Sequence, residues 1–114
     1  MQMYLYHRTT GRAARAILRG GFWDTAGRYM VPVLTRGVWF SDRPLDAHEG
    51  AKGDTLIRMT WPIGQRVLLK YEWIEEGKPY REWQLPAALV NARRTSLVII
   101  PPWRERQLDR SMRS

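Results

Sequence analysis

A small α+β domain is the expected architecture of this chain. Its 114 residues suffice for one buried core and not for two, one segment repeats apolar residues at helical spacing, and five or six short β-prone runs are set off by Gly- and Pro-containing turns. A content of 44% hydrophobic and 26% charged residues excludes disordered, collagen-like and coiled-coil classes. No apolar run approaches the roughly 20 residues that a membrane span needs. The start, Met1-Gln2-Met3-Tyr4, enters a strand-like stretch with no signal-peptide layout, so a cytoplasmic protein without membrane contact is expected.

The elements follow in order. Residues 4–9 are rich in aromatic and β-branched side chains and run into Thr10-Gly11, which reads as a strand and a turn. Thr10 can then cap a helix over residues 12–18, where Ala13, Ala14, Ile17 and Leu18 form an inward stripe and Gly20-Gly21 stops it. Residues 22–36 lack a period and read as an irregular loop holding a short strand around residues 30–34. Residues 37–42 are a β-prone run closed by Arg43-Pro44, and residues 44–49 suit a single helical turn. Residues 55–61 alternate as a strand up to Pro62. Residues 66–71 fit either a strand or a short helix, and Glu75-Glu76-Gly77-Lys78-Pro79 is a turn. A strand over 81–86, a brief helix or turn over 87–91 and a strand over 96–100 complete the body. Residues 101–114 hold Arg104, Arg106, Arg110 and Arg113 and read as a basic helix or a frayed tail.

Charge and residue types narrow the chemistry. Nineteen basic residues against eleven acidic ones give a net charge of +8, and all but three of the nineteen are Arg, the side chain that grips phosphate in a bidentate way. An anionic partner fits this balance, as does a solvated basic surface. The chain has no Cys, which removes disulfides, thiolate catalysis and Cys-type zinc sites, and with two His no metal is expected. There is no phosphate loop, dinucleotide-binding glycine fingerprint, metalloprotease motif or nucleophile elbow. His7, late in the first strand beside Arg8 and Thr9, and Glu82, between Arg81 and Trp83, remain as candidates. Each is equally readable alone as a satisfied structural residue.

Three stretches together resemble one family. Tyr6-His7-Arg8-Thr9-Thr10, continued by Ala13-Ala14-Arg15-Ala16-Ile17-Leu18-Arg19-Gly20-Gly21-Phe22, is similar to the first strand and helix of ADP-ribosyltransferases of the diphtheria-toxin and poly(ADP-ribose) polymerase kind. Gly37-Val38-Trp39-Phe40-Ser41-Asp42 resembles their Gly-Ile-Tyr-Phe-Ala-Asp strand. Glu82-Trp83-Gln84-Leu85-Pro86-Ala87-Ala88-Leu89-Val90-Asn91 resembles the strand that bears their catalytic Glu. The order of the three stretches is the family's, and they span residues 6–91.

The resemblance implies a split antiparallel sheet with one main helix after the first strand, a catalytic domain over residues 1–103 and a basic tail or helix over 104–114. It implies catalysis by Glu82 and His7, NAD as co-substrate held by His7, Arg8, Thr9, Trp39, Phe40 and Ser41, and no metal. Glu82 would bond a ribose hydroxyl and stabilise the oxocarbenium-like state reached as nicotinamide leaves. His7 would hold an adenosine-ribose hydroxyl, backbone near Arg8 would meet the nicotinamide amide, and Trp39 would pack beside the nicotinamide ring. The acceptor would be an acidic macromolecule, nucleic acid or protein, and the chain a toxin or a modifier. Arg8 stands where the family usually has Gly, so its side chain is expected to swing aside toward the pyrophosphate. Trp39 replaces a Tyr, and residues 42–55 lack the further stacking aromatic of larger members. Two alternatives stay open: an NAD-using RNA 2′-phosphotransferase, which shares the fold, and a non-catalytic module that binds nucleic acid or protein.

Overall fold

Alternation in the opening segment produces the longest pairing among the described residues, which in this computed structural model are 2–22, 25–28, 34–46, 51–62 and 66–113. Strand β1, Gln2–Thr9, lies antiparallel to β4, Thr55–Pro62, in an unbroken ladder from Gln2 opposite Pro62 to Thr9 opposite Thr55. Leu5 on β1 and Ile57, Met59 and Trp61 on β4 are fully buried on one face. The turn into β4 requires glycine. At Gly53 φ is +115° and a Cβ would stand 2.2 Å from the Thr9 carbonyl oxygen.

Helix α1, Gly11–Gly20, follows β1 directly. Thr10 Oγ1 accepts the Ala13 N–H at 3.1 Å, and at the far end Gly21, with φ +88°, donates its N–H to the Ile17 carbonyl at 2.7 Å. The helix buries Ala14 and packs Ile17 against the core, but Leu18 is 40% exposed, so the inward stripe is narrower than its spacing suggested.

The other strands are β2, Thr25–Arg28; β3, Leu34–Ser41; β5, Glu72–Trp73; β6, Glu82–Leu85; and β7, Val98–Ile100. The sheet runs β5-β6-β3-β1-β4-β7 with every pairing antiparallel, and β2 joins the first half of β3. Its two halves, β5-β6-β3 and β1-β4-β7, meet at one pairing, Tyr6 opposite Ser41. Through that junction a single transverse row crosses all six strands: Trp73, Glu82, Ser41, Tyr6, Arg58, Val98. Directly opposed residues of an antiparallel sheet share a face, so these six side chains belong to the same side.

Among the described residues seven strands form where five or six were expected. Thr25-Ala26-Gly27-Arg28 and Glu72-Trp73 have little strand preference of their own and are held by their pairings with β3 and β6. The strand expected around residues 30–34 lies outside the described residues except for Leu34, where β3 begins. The helical turn expected over 44–49 lies partly outside them, and residues 44–46 are not helical. The ambiguous segment is a helix, α2, Val67–Tyr71, with Leu68 and Tyr71 against the core and Leu69 out in solvent. The brief element is helix α3, Ala87–Asn91. A 3-10 turn, Arg94–Ser96, takes the start of the strand expected at 96, and the basic C-terminal segment is helix α4, Pro102–Arg113.

The core lies between the α1 side of the sheet and the short helices, with Leu5, Phe22, Phe40, Trp61, Trp83, Leu85 and Val90 at its centre. Leu56 and Ile57 are both buried although they point to opposite faces, so β4 is covered on both sides at that point. Among the described residues no helix is long and apolar enough to cross a membrane.

Candidate functional site

Beyond Tyr6 and Ser41 the strands β1 and β3 part, and the imidazole of His7 reaches across the fork. Its Nδ1 lies 2.8 Å from the Trp39 carbonyl oxygen, a group the ladder would otherwise have to satisfy. A carbonyl only accepts, so Nδ1 carries the proton. Burial pushes the His7 pKa below its usual value, against a smaller upward pull from that hydrogen bond, and the ring is neutral near pH 7. Nε2 is then a lone-pair acceptor, and it has no hydrogen-bond partner among the described residues.

The ring is fixed by aromatic packing. Phe22 meets it edge-on at 5.4 Å and Phe40 tilts against it at 5.5 Å, with the two phenyl rings 5.5 Å from each other. Phe22 is itself fastened by Asn91 of α3, whose Oδ1 accepts the Phe22 N–H at 2.7 Å and whose Nδ2 donates to the Phe22 carbonyl at 3.0 Å. A Cβ at Gly21 would come 2.8 Å from that Oδ1, so the neighbouring residue must be Gly.

Glu82 opens β6 opposite both Ser41 and Trp73, and it is only 6% exposed. A buried carboxylate needs a cation. Lys78, four residues earlier on the β5–β6 connection, pairs with it and also reaches Glu75 at 3.3 Å. The start of β6 is aligned by a reciprocal clamp, in which the Arg81 N–H donates to Asp42 Oδ1 at 3.0 Å and the Asp42 N–H donates to the Arg81 carbonyl at 3.1 Å. The Arg81 guanidinium meets Glu72 at 3.0 and 2.6 Å and holds the Glu72 carboxyl below its usual pKa. Trp73, opposite Glu82 in register, meets Trp39 edge-on at 5.7 Å, and the Arg43 and Lys78 cations each lie by the Tyr80 ring, at 4.9 and 5.2 Å.

The three stretches that suggested a site thus become neighbouring strands, β1, β3 and β6. Their side chains divide between two faces. Strand alternation sets His7 and Phe40 on the core side, and Trp39, Ser41 and Glu82 on the other, with the fork between them. Phe40 is a buried wall for the imidazole, and the Ser41 hydroxyl donates to the Arg43 carbonyl at 2.7 Å. Thr9 ends the β1 ladder opposite Thr55. Arg8 does swing aside, but to protein: its guanidinium makes a bidentate contact with Glu105 of α4 at 2.9 and 2.7 Å and donates to the Leu45 carbonyl.

Phe22, Asn91, Lys78 and Glu105 were not among the expected site residues. Lys78 left a sequence signal, its position four before Glu82, whereas Glu105 lies too far along the chain from Arg8 to leave any. Chemically, the arrangement offers an acceptor nitrogen for a hydroxyl on the core side of the fork and, on the other side, a shielded carboxylate paired with Lys78 together with flat rings. Among the described residues no group of three or more His, Cys, Asp and Glu could hold a metal ion. Comparison of the chain with protein-family models, with curated proteins and with solved structures finds no match.

Proposed function

We propose that the protein is an NAD-dependent ADP-ribosyltransferase of the cytoplasm, with the split sheet of that family, that passes ADP-ribose from NAD to a macromolecular acceptor and releases nicotinamide. One observation carries this reading: the three stretches that resemble the family lie side by side at a fork in the sheet, with a neutral His7 lodged in it and a buried Glu82 two strands away.

Each residue has a task that its surroundings favour. Nε2 of His7, an acceptor because Nδ1–H is committed to Trp39, takes a ribose hydroxyl proton in a hydrogen bond. Glu82 accepts from the second ribose and faces the positive charge that grows at its anomeric carbon as the bond to nicotinamide breaks. The electron pair of that bond leaves with nicotinamide, and an acceptor nucleophile completes the bond to ribose and loses its proton. Trp39 lends a stacking face at the fork, and the Thr9 and Arg8 backbone lines its β1 wall. Ser41 keeps the junction closed behind them. Arg8 serves through its backbone alone, because Glu105 occupies its guanidinium.

Nicotinamide release from NAD by the full chain tests the reading. Glu82→Gln is expected to lower the rate by at least ~100-fold while leaving the circular dichroism spectrum unchanged, since Lys78 keeps Glu75 as a partner. No release by the wild type, or equal release by Glu82→Gln, would overturn it.

A further inference from the structure

The face of β1-β4-β7 turned away from α1 has a feature that the proposed reaction does not use. Tyr4 and Tyr6 alternate onto it from β1, and their partners in register are Thr60 and Arg58 of β4. The Arg58 guanidinium lies over the Tyr4 ring at 4.2 Å, and Tyr4 is 47% exposed. Two other Arg side chains are matched by carboxylates, Arg8 by Glu105 and Arg81 by Glu72, while the half-buried Arg93 lies over the Trp61 ring. Arg58 has no carboxylate partner among the described residues, and its buried Nε makes no hydrogen bond. A guanidinium drawn partly out of water and left without an anion costs stability unless something outside the chain supplies one.

We propose that Tyr4, Tyr6, Arg58 and Thr60 form a docking surface for single-stranded nucleic acid, with Arg58 meeting a phosphate and the Tyr4 ring a base. A guanidinium without a carboxylate beside a half-exposed ring is what a single strand recognises, base by stacking on the ring's free side and backbone by charge. The net charge of +8 favours the same partner. An acidic protein would answer the charge but leave the ring unused, and a duplex keeps its bases stacked away from a sheet face. The transverse row then links this surface to the candidate carboxylate: Arg58, Tyr6, Ser41 and Glu82 stand on four adjacent strands, a span of about 14 Å at ~4.8 Å per strand. About five nucleotides stacked ~3.4 Å apart cover it. As the route by which an acceptor reaches Glu82 this surface rests on the proposed function; as a binding surface it does not.

Fluorescence anisotropy with the full chain and a short labelled single-stranded oligonucleotide, without NAD, tests the surface. Tyr4→Ala, an exposed position, and Arg58→Gln are each expected to weaken binding about tenfold, and Arg58→Gln also to flatten the slope of log K against log salt by about 0.7. Arg104→Gln, which removes the same charge from the exposed side of α4, is expected to change binding less than about twofold. Circular dichroism of the variants verifies their folds, and Tyr4→Ala keeps the test intact should Arg58→Gln unfold. Absence of wild-type binding, equal losses in all three variants, or loss in neither Tyr4→Ala nor Arg58→Gln would overturn the proposal. So would tighter binding of the duplex, or equal binding of a polyglutamate peptide with the same sensitivities. NAD cleavage with no strand bound at this face sinks the docking surface alone; a strand bound here with no NAD cleavage sinks only the enzymatic reading.

Discussion

Lys78 and Glu82 are both nearly closed to solvent, so each depends on the other for its charge to be tolerable. Lys78→Met is expected to destabilise the protein by about 3 kcal/mol in urea titrations, while Glu82→Gln costs less because Glu75 still answers Lys78. The double variant should recover most of the loss, and a purely additive result would show that the pair is not coupled. His7 produces a pH dependence of definite sign. Its folded pKa lies below the unfolded value of about 6.5, so the unfolded chain binds the proton first and stability falls as pH drops through that range toward the folded value. Melting temperatures of the wild type between pH 7.5 and 5 should therefore fall more steeply than those of His7→Phe. At Gly53 the fold tolerates no side chain: Gly53→Ala would drive a Cβ into the Thr9 carbonyl at a positive φ, for an expected loss of at least ~2 kcal/mol.

At the scale of elements, the two halves of the sheet differ in how they are held. The β1–β4 ladder pairs every residue of both strands, while β5 contributes two residues and the halves share one pairing at Tyr6 and Ser41. Native-state hydrogen exchange should find the slowest amides in β1 and β4 and much faster exchange in β5. Helix α4 is fastened through the bidentate contact of Glu105 with Arg8. Glu105→Ala is expected to cost about 2 kcal/mol and to quicken proteolysis within α4. Unchanged proteolysis would mean that other contacts of the helix suffice. The strong elements were legible beforehand because local signals agree: Thr10 caps α1, Gly21 ends it, aromatic and β-branched side chains mark β1, and alternation marks β4. Those that were missed, β2 and β5, have no local signal and exist by virtue of a partner strand.

For the whole molecule, the register is what turns scattered residues into a candidate site. Local pattern marks the strands themselves, whereas the burial of Phe40, expected to hold the co-substrate, and of Trp83 emerges only in the structure. That pattern says nothing of which strands are neighbours or of where a ladder opens. The sheet order and the parting of β1 from β3 after Tyr6 bring the His7 ring to the Trp39 carbonyl and set Glu82 in line with Ser41, Tyr6 and Arg58. By itself the sequence determined a small α+β domain, its main helix with both caps, its principal strands and its basic balance, because these depend on residues near one another in the chain. Only the tertiary structure decided that Arg8 belongs to Glu105, that Lys78 covers Glu82, that Asn91 steadies the wall beside His7 and that Arg58 meets no carboxylate among the described residues. Each of these depends on which distant segments meet once the core has closed, and most join residues too far apart along the chain for any local pattern to record them.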